Sequence, residues 1–318
     1  MKALAVLALL LPALALATWH YEGQWGGWGT FYLPEGIAVD PASGNIYVTD
    51  ALGNFVKYYT ASGSYLGRWG TTGTGDGQFQ TPEGIDVTAA GYVYVADNTN
   101  SRVQYFYLNG PFLGKWGTNG TADGQFQGVY GITAADSNGN VYAVDAGNNR
   151  VQYFTSTGSY LGKWGTIGSG DGEFANYPWG VAVSPPTGYV YVADTGNHRV
   201  QYFTAAGSFL GKWGAFGTGD GFFQEPHGVA VSPDGGRVYV VDMGNNRLQY
   251  FTPAGSFLGK LGGPGSGSGG FGYPFDVDFN AAGNLLYVAD TYNFLVQYFS
   301  TYAGATPASW GRIKAIFR

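Results

Sequence analysis

The sequence predicts an all-β fold: a six-bladed β-propeller of four-stranded antiparallel blades, its ring closed by the N-terminal strand. Three observations predict it. First, one strand–turn–strand phrase is written six times: "YVTDALGNFVKYY" from Tyr47, "YVADNTNSRVQYF" from Tyr94, "YAVDAGNNRVQYF" from Tyr142, "YVADTGNHRVQYF" from Tyr191, "YVVDMGNNRLQYF" from Tyr239 and "YVADTYNFLVQYF" from Tyr287. Second, a landmark upstream of each copy ("PEGIAV", "PEGIDV", "VYGITA", "PWGVAV", "PHGVAV", "PFDVDF") recurs on a nearly fixed period. From Gly36 through Gly84, Gly131, Gly180, Gly228 and Asp276 the intervals are 48, 47, 49, 48 and 48. Third, the chain is 45% hydrophobic and 17% aromatic but only 11% charged, with 55 glycines. Such a chain affords a packed core, and glycine then punctuates turns rather than marking disorder. A fixed period near 48 with four strand-length runs is a propeller signature.

The N-terminus, "MKALAVLALLLPALALATWH", sets one Lys before an apolar run that ends in a small-x-small site. It reads as a secretory signal peptide over residues 1–17, cleaved after Ala17, and the run is short for a membrane span. Export without a single cysteine suits a periplasm or cell surface, or secretion. The absence of cysteine also excludes disulfides, thiol catalysis and thiolate zinc sites. Residues 18–300 form the propeller. "HYEGQWG" at His20 resembles the fourth strands "SYLGRWG", "PFLGKWG", "SYLGKWG" and "SFLGKWG" yet has no blade before it. Repeat six loses its pattern after the third strand. Residues 19–25 are therefore expected to complete blade six, while "SWGRIKAIF" in the 301–318 tail competes for that place.

Within repeat four the expected strands are Gly180–Val183, Tyr189–Ala193, Arg199–Phe203 and Ser208–Trp213, separated by "SPPTG", "DTGN" and "TAAG". Short β-branched and aromatic runs bounded by turn residues carry that reading. Alternating residues place Arg68, Lys115, Lys163, Lys212 and Lys260 on a solvated outer rim. Trp69, Trp116, Trp164 and Trp213 read as inter-blade packing. Asp76, Asp123, Asp171 and Asp220, set among glycines, read as turn residues between blades.

Six acids end the second strands: Asp50, Asp97, Asp145, Asp194, Asp242 and Asp290. Asp after a strand caps a turn, and Arg102, Arg150, Arg199 and Arg247 follow four of them at a spacing that suits partly buried pairs. Phe55 and Leu295 stand in the other two places. The set is expected to be architectural.

The residue before the landmark position varies instead. It is Glu35, Glu83, Tyr130, Trp179, His227 or Phe275. In a propeller this residue starts the innermost strand, at the mouth of the central channel. Aromatic walls with a few polar groups converging on one spot describe a ligand site. A net charge of −6 disfavours nucleic acid. The expected partner is a protein, a peptide or a carbohydrate, with no cofactor, no nucleic acid and no membrane span.

The repeat "GDGEFANYPWGVAVSPPTGYVYVADTGNHRVQYFTAAGSFLGKWG" resembles the NHL repeat, and the likeness extends over roughly residues 19–300. The resemblance implies the six-bladed architecture and a binding or scaffolding role for the channel-mouth face. The chain is also distantly similar to the peptidyl-hydroxyglycine lyase propeller, which holds zinc through Pro-His motifs on three blades. That likeness implies an alternative, a metal-assisted lyase or hydrolase centred on Glu35, Glu83 and His227. Only Pro226-His227-Gly228 keeps the motif. His20 lies in the closing strand and His198 in a turn. The histidine and basic residues of virginiamycin-B-lyase-like propellers have no traceable counterparts. Every repeat is 47–49 residues long, which leaves no insertion for a lid. NHL domains that bind RNA imply a third reading, opposed by the acidic charge and the signal peptide.

Overall fold

The computed structural model describes residues 18–301. The signal-peptide reading and the tail segment "SWGRIKAIF" fall outside them. Twenty-four strands form six four-stranded antiparallel sheets. Blade one is β2(Pro34–Val39), β3(Ile46–Asp50), β4(Phe55–Tyr59) and β5(Tyr65–Trp69). Blades two to five repeat that order. Their innermost strands are β6(Pro82–Val87), β10(Val129–Ala135), β14(Val181–Val183) and β18(Pro226–Val231), and blade six begins with β22(Pro274–Phe279). Each innermost strand touches the next, and β22 returns to β2, so the six form a ring around a central channel.

Blade six completes itself with the N-terminal strand. β1(Trp19–Gly26) pairs antiparallel with β24(Leu295–Thr301), from Trp19 opposite Thr301 to Gly26 opposite Leu295. The closing strand is thus residues 19–26, as its likeness to the other fourth strands predicts. Trp25 then repeats the role of the other tryptophans. Each of Trp25, Trp69, Trp116, Trp164 and Trp213 lies over a turn glycine of the following blade: Gly63, Gly110, Gly158, Gly207 or Gly255. A Cβ there would meet the indole at 2.6–2.8 Å, and the positive φ of these turns suits glycine as well.

The space between blades is filled by fully buried aromatic side chains. Tyr47, Tyr94, Tyr142, Tyr191, Tyr239 and Tyr287 come from the second strands, and Phe31, Phe79, Phe126, Phe174, Phe223 and Phe271 from the loops that lead into the innermost strands. Their hydroxyls tie blades together. Tyr94 donates to the Ser156 carbonyl at 3.0 Å, and Tyr287 donates across the ring closure to the Ala61 carbonyl at 3.2 Å.

The repeated acids are architectural. Asp145 is fully buried and accepts from Arg150 Nε at 2.6 Å, Gln152 Nε2 at 3.1 Å, Asn148 Nδ2 at 2.9 Å and the Gln127 N–H at 2.8 Å. Arg150 also donates to the carbonyls of Thr121, Ala122 and Gln125. The knot therefore clamps the loop that enters the innermost strand. It recurs at Asp97, Asp194 and Asp242 with their arginines. Blades one and six keep the acid without an arginine: Asp50 accepts from the Tyr32 and Leu33 N–H groups, and Asp290 accepts from the Gly272 N–H.

The rim lysines are not merely solvated. Lys115, Lys163, Lys212 and Lys260 pair with Asp76, Asp123, Asp171 and Asp220 at 2.5–2.7 Å. The inter-blade aspartates are thus salt-bridge partners as well as turn residues. Both members are about half exposed, so solvent screens each pair and it contributes little to stability. No helix among the described residues is long and apolar enough to cross a membrane.

Candidate functional site

The landmark glycines set the geometry of the channel mouth. A Cβ on Gly36 would lie 2.3 Å from the Glu83 carbonyl oxygen, on Gly84 2.4 Å from that of Tyr130, on Gly131 2.3 Å from that of Trp179, and on Gly180 2.2 Å from that of His227. Each landmark glycine thus lets the next blade's variable residue come close. In blade six the landmark is Asp276, which accepts from the Ile37 N–H of blade one at 3.1 Å.

All six variable residues line a single cavity of about 520 Å³. Glu35, Glu83 and Trp179 are buried there, 6%, 7% and 3% exposed. His227 stands between two rings, parallel to Trp179 at 5.3 Å and edge-on to Phe275 at 4.7 Å. Glu83 accepts from Asn98 Nδ2 at 2.7 Å through one oxygen. Its other oxygen, one oxygen of Glu35 and Nδ1 of His227 are buried without a hydrogen-bond partner. Most other such atoms are indole nitrogens of the inter-blade tryptophans, so unpartnered acids collect at the mouth.

Burial dominates the electrostatics. It pushes the Glu35 carboxyl up to about 8, with the Asp50 charge adding to it. It raises Glu83 well above the usual range, helped by Glu35 and opposed by Trp179 and Asn98. It lowers His227 to about 3, so the imidazole is neutral at physiological pH. No Lys or Arg lines the cavity.

The sequence reading missed several wall residues. Asn176, Tyr177, His198 and Glu225 also line the cavity. His198, read as a plain turn residue, adopts φ +54 and accepts from the Glu225 N–H through Nδ1. Tyr177 comes from the one interval of 49. Phe174 to Pro178 is one residue longer than Phe79 to Pro82 or Phe223 to Pro226. The extra residue leaves Asn176 and Tyr177 consecutively at φ +44 and +62 and sets the Tyr177 ring 6.2 Å from Tyr130. Uniform repeat length therefore concealed an insertion at the mouth. Left-handed backbone at non-glycine residues costs about 1–3 kcal/mol each and tends to gather at functional sites.

The far half of the channel is acidic too, and this was not foreseen. Asp86, Asp276 and Asp278 line a second cavity of about 300 Å³ beyond the landmark level. They accept from backbone N–H groups of the neighbouring inner strands, Asp86 from Ala134 and Asp278 from Val39. Burial raises all three, Asp86 to about 6 and Asp276 to about 7. The zinc alternative does not fit. Among the described residues no three His, Asp or Glu side chains are grouped to hold a metal ion, and Glu35, Glu83 and His227 do not form such a set.

These shifts fix a pH dependence. Carboxyls raised in the folded state hold protons that the unfolded chain releases, so they destabilise the fold as pH rises through their window. His227 acts oppositely, but only between about 3 and 6.5. From pH 6.5 to 8 stability is expected to fall, Glu35 alone contributing on the order of 1–2 kcal/mol. Urea unfolding at both pH values checks this. Glu35→Gln should flatten the slope, and a flat wild-type profile would contradict the assignment.

Comparison with known proteins agrees with the fold. The family profile described as the NHL repeat matches residues 79–106, 176–203 and 223–251. No curated protein sequence matches the chain. Among solved structures, virginiamycin B lyase from Staphylococcus aureus superposes with a TM-score of 0.62 at 14% identity, covering 90% of this chain and 100% of that one. A gluconolactonase from Xanthomonas campestris gives 0.65 at 15% identity, covering 90% and 96%. A protein of unknown function from Bacteroides thetaiotaomicron gives 0.66 at 15% identity, covering 88% and 73%. At such identities the likeness concerns the fold alone. The closed ring and the three matched segments together make this chain a six-bladed β-propeller that carries NHL repeats.

Proposed function

We propose that this propeller is an exported, non-catalytic binding module that takes a protein, peptide or glycan partner at its channel-mouth face. One observation carries the reading: the side chains at the variable position just before each landmark residue all line one cavity. The surrounding face supports it. Trp28, Tyr32, Leu52, Tyr177, Phe216, Tyr273 and Tyr292 are exposed in the loops on this side, and exposed apolar patches of this kind mark interaction surfaces. Tyr292 joins the mouth to the rim, 6.5 Å from Phe275 and 5.1 Å from Tyr273, and lines a groove with Trp28, Tyr32, Leu52 and Phe294. Export rests on residues 1–17.

The test is a screen of the purified protein against immobilised glycans and peptides. A ligand held by wild type and by Tyr107→Ala, on the opposite face, but lost by Trp179→Ala and Phe275→Ala supports the reading. Ligands indifferent to both mouth variants would overturn it.

One observation favours a second reading, catalysis. Glu35 stays protonated near neutral pH in a cavity shared with a neutral imidazole, and such a pair suits acid–base work. Among the neighbours in fold are a lyase and a gluconolactonase. In the same screen, this reading predicts turnover of virginiamycin B or gluconolactone that is lost in Glu35→Gln.

A further inference from the structure

The channel mouth gathers buried carboxyl groups and offers no basic side chain to pair with them. Glu35 and Glu83 start the inner strands of adjacent blades, and each keeps one buried oxygen without a partner. On blade one the neighbouring Asp50 lacks the arginine that four other blades supply, because Phe55 occupies its place. No Lys or Arg lines either cavity of the channel. Buried carboxylates are ordinarily paired, and a pair of like charges without a counterion is costly. The described side chains group no three donors that would hold a metal. The wall facing the acids is aromatic, with Trp179 and Phe275 mutually edge-on at 6.1 Å and the Tyr130 ring beside them. Carboxylates with aromatic faces are the surroundings that stabilise an organic cation, through charge and through the ring quadrupole.

We infer that the channel mouth receives a primary ammonium group on an alkyl chain, its charge held between Glu35 and Glu83 and its chain laid against Trp179 and Phe275. The inference rests on the mouth being a binding site and names the ligand chemistry. The ammonium has two sources, a lysine side chain of a peptide or a free alkylamine. Its hydrogens would satisfy the two orphaned carboxylate oxygens. Because burial keeps Glu35 protonated near neutral pH and raises Glu83 as well, binding would release protons to the buffer.

Isothermal titration at pH 7.5 tests it with n-pentylamine, its neutral isostere 1-pentanol, and an acetylated, amidated Gly-Lys-Gly peptide. The amine is expected to bind at least about tenfold more tightly than the alcohol, with a heat that varies with the buffer's ionisation enthalpy. Glu35→Gln/Glu83→Gln should abolish the preference. That variant keeps side-chain volume and removes two buried carboxyls that resist ionisation, so it should melt no lower than wild type. Tighter binding of the peptide assigns the ammonium to a lysine side chain, and tighter binding of the free amine assigns it to a small molecule.

Equal affinity for amine and alcohol would overturn the inference and leave the mouth as a site for neutral groups. So would stoichiometric binding of calcium or zinc alone that is lost in the double variant. If no amine binds while a Trp179-dependent ligand emerges from the screen, only the ammonium assignment falls. If neither binds, the mouth falls with it.

Discussion

Asp145→Ala is expected to lower the stability of the folded ring by about 3–5 kcal/mol, the cost of breaking one partner from a buried ion pair. The loss comes from what is left behind. Arg150 would keep its three carbonyl contacts but lose the buried carboxylate bonded to its Nε, and Gln152, Asn148 and the Gln127 N–H would each lose an acceptor. Asp290→Ala is the internal control. Leu295 stands where the arginine would be, so that variant abandons amide and backbone donors but no buried cation. Its cost should be nearer 1–3 kcal/mol. Urea unfolding of the two variants in parallel measures the difference. Equal losses would show that the arginine contributes nothing to the knot.

Gly131→Ala is expected to act on both stability and the mouth. The added Cβ would sit 2.3 Å from the Trp179 carbonyl oxygen and 3.2 Å from Gly180 Cα. The obstacle is backbone, which cannot rotate away as a side chain can. Blades three and four must separate where they form the cavity wall, at a cost of about 1–3 kcal/mol by the behaviour of overpacked sites. Trp179 moves with its carbonyl, so the ligand found for wild type should be lost even where the variant remains folded. Gly263→Ala meets nothing within 4 Å and should leave melting and binding unchanged. Melting temperature and ligand titration on the two alanine variants decide the matter. A Gly131→Ala protein that binds normally would show that the landmark glycine does not position the mouth.

The fold was legible because a blade is a local object. Four strands, their turns and their aromatic fillers recur within 48 residues, and the spare copy "HYEGQWG" could be matched to the strand missing from blade six. The mouth was legible for a different reason: Glu35, Glu83, Tyr130, Trp179, His227 and Phe275 break a pattern that otherwise repeats. What stayed hidden depends on geometry between repeats. Lys115 and Asp76 are 39 residues apart and meet only because one blade's outer strand lies over the loop before it. Asp86 and Asp278 sit at a position held elsewhere by Ala38, Ala182 and Ala230, and a carboxylate in an apolar strand gives no hint that it will accept from the neighbouring blade's backbone. Tyr177 was concealed by a length change of one residue, which the period absorbed.

The pairing of β1 with β24 has a consequence for how the molecule is made. Partners separated by some 280 positions cannot meet until β24 itself has been synthesised, and contacts so distant form slowly. Five blades can assemble in order as they emerge. The sixth must wait for a strand that was produced first and has stayed unpaired throughout. During that wait the free edge of β24 is open to any other strand of similar pattern, including the first strand of a second molecule. Exchange of that strand between copies would yield swapped dimers through the same hydrogen bonds that close the monomer. The step that completes the ring is also the step at which concentration decides between closure and exchange.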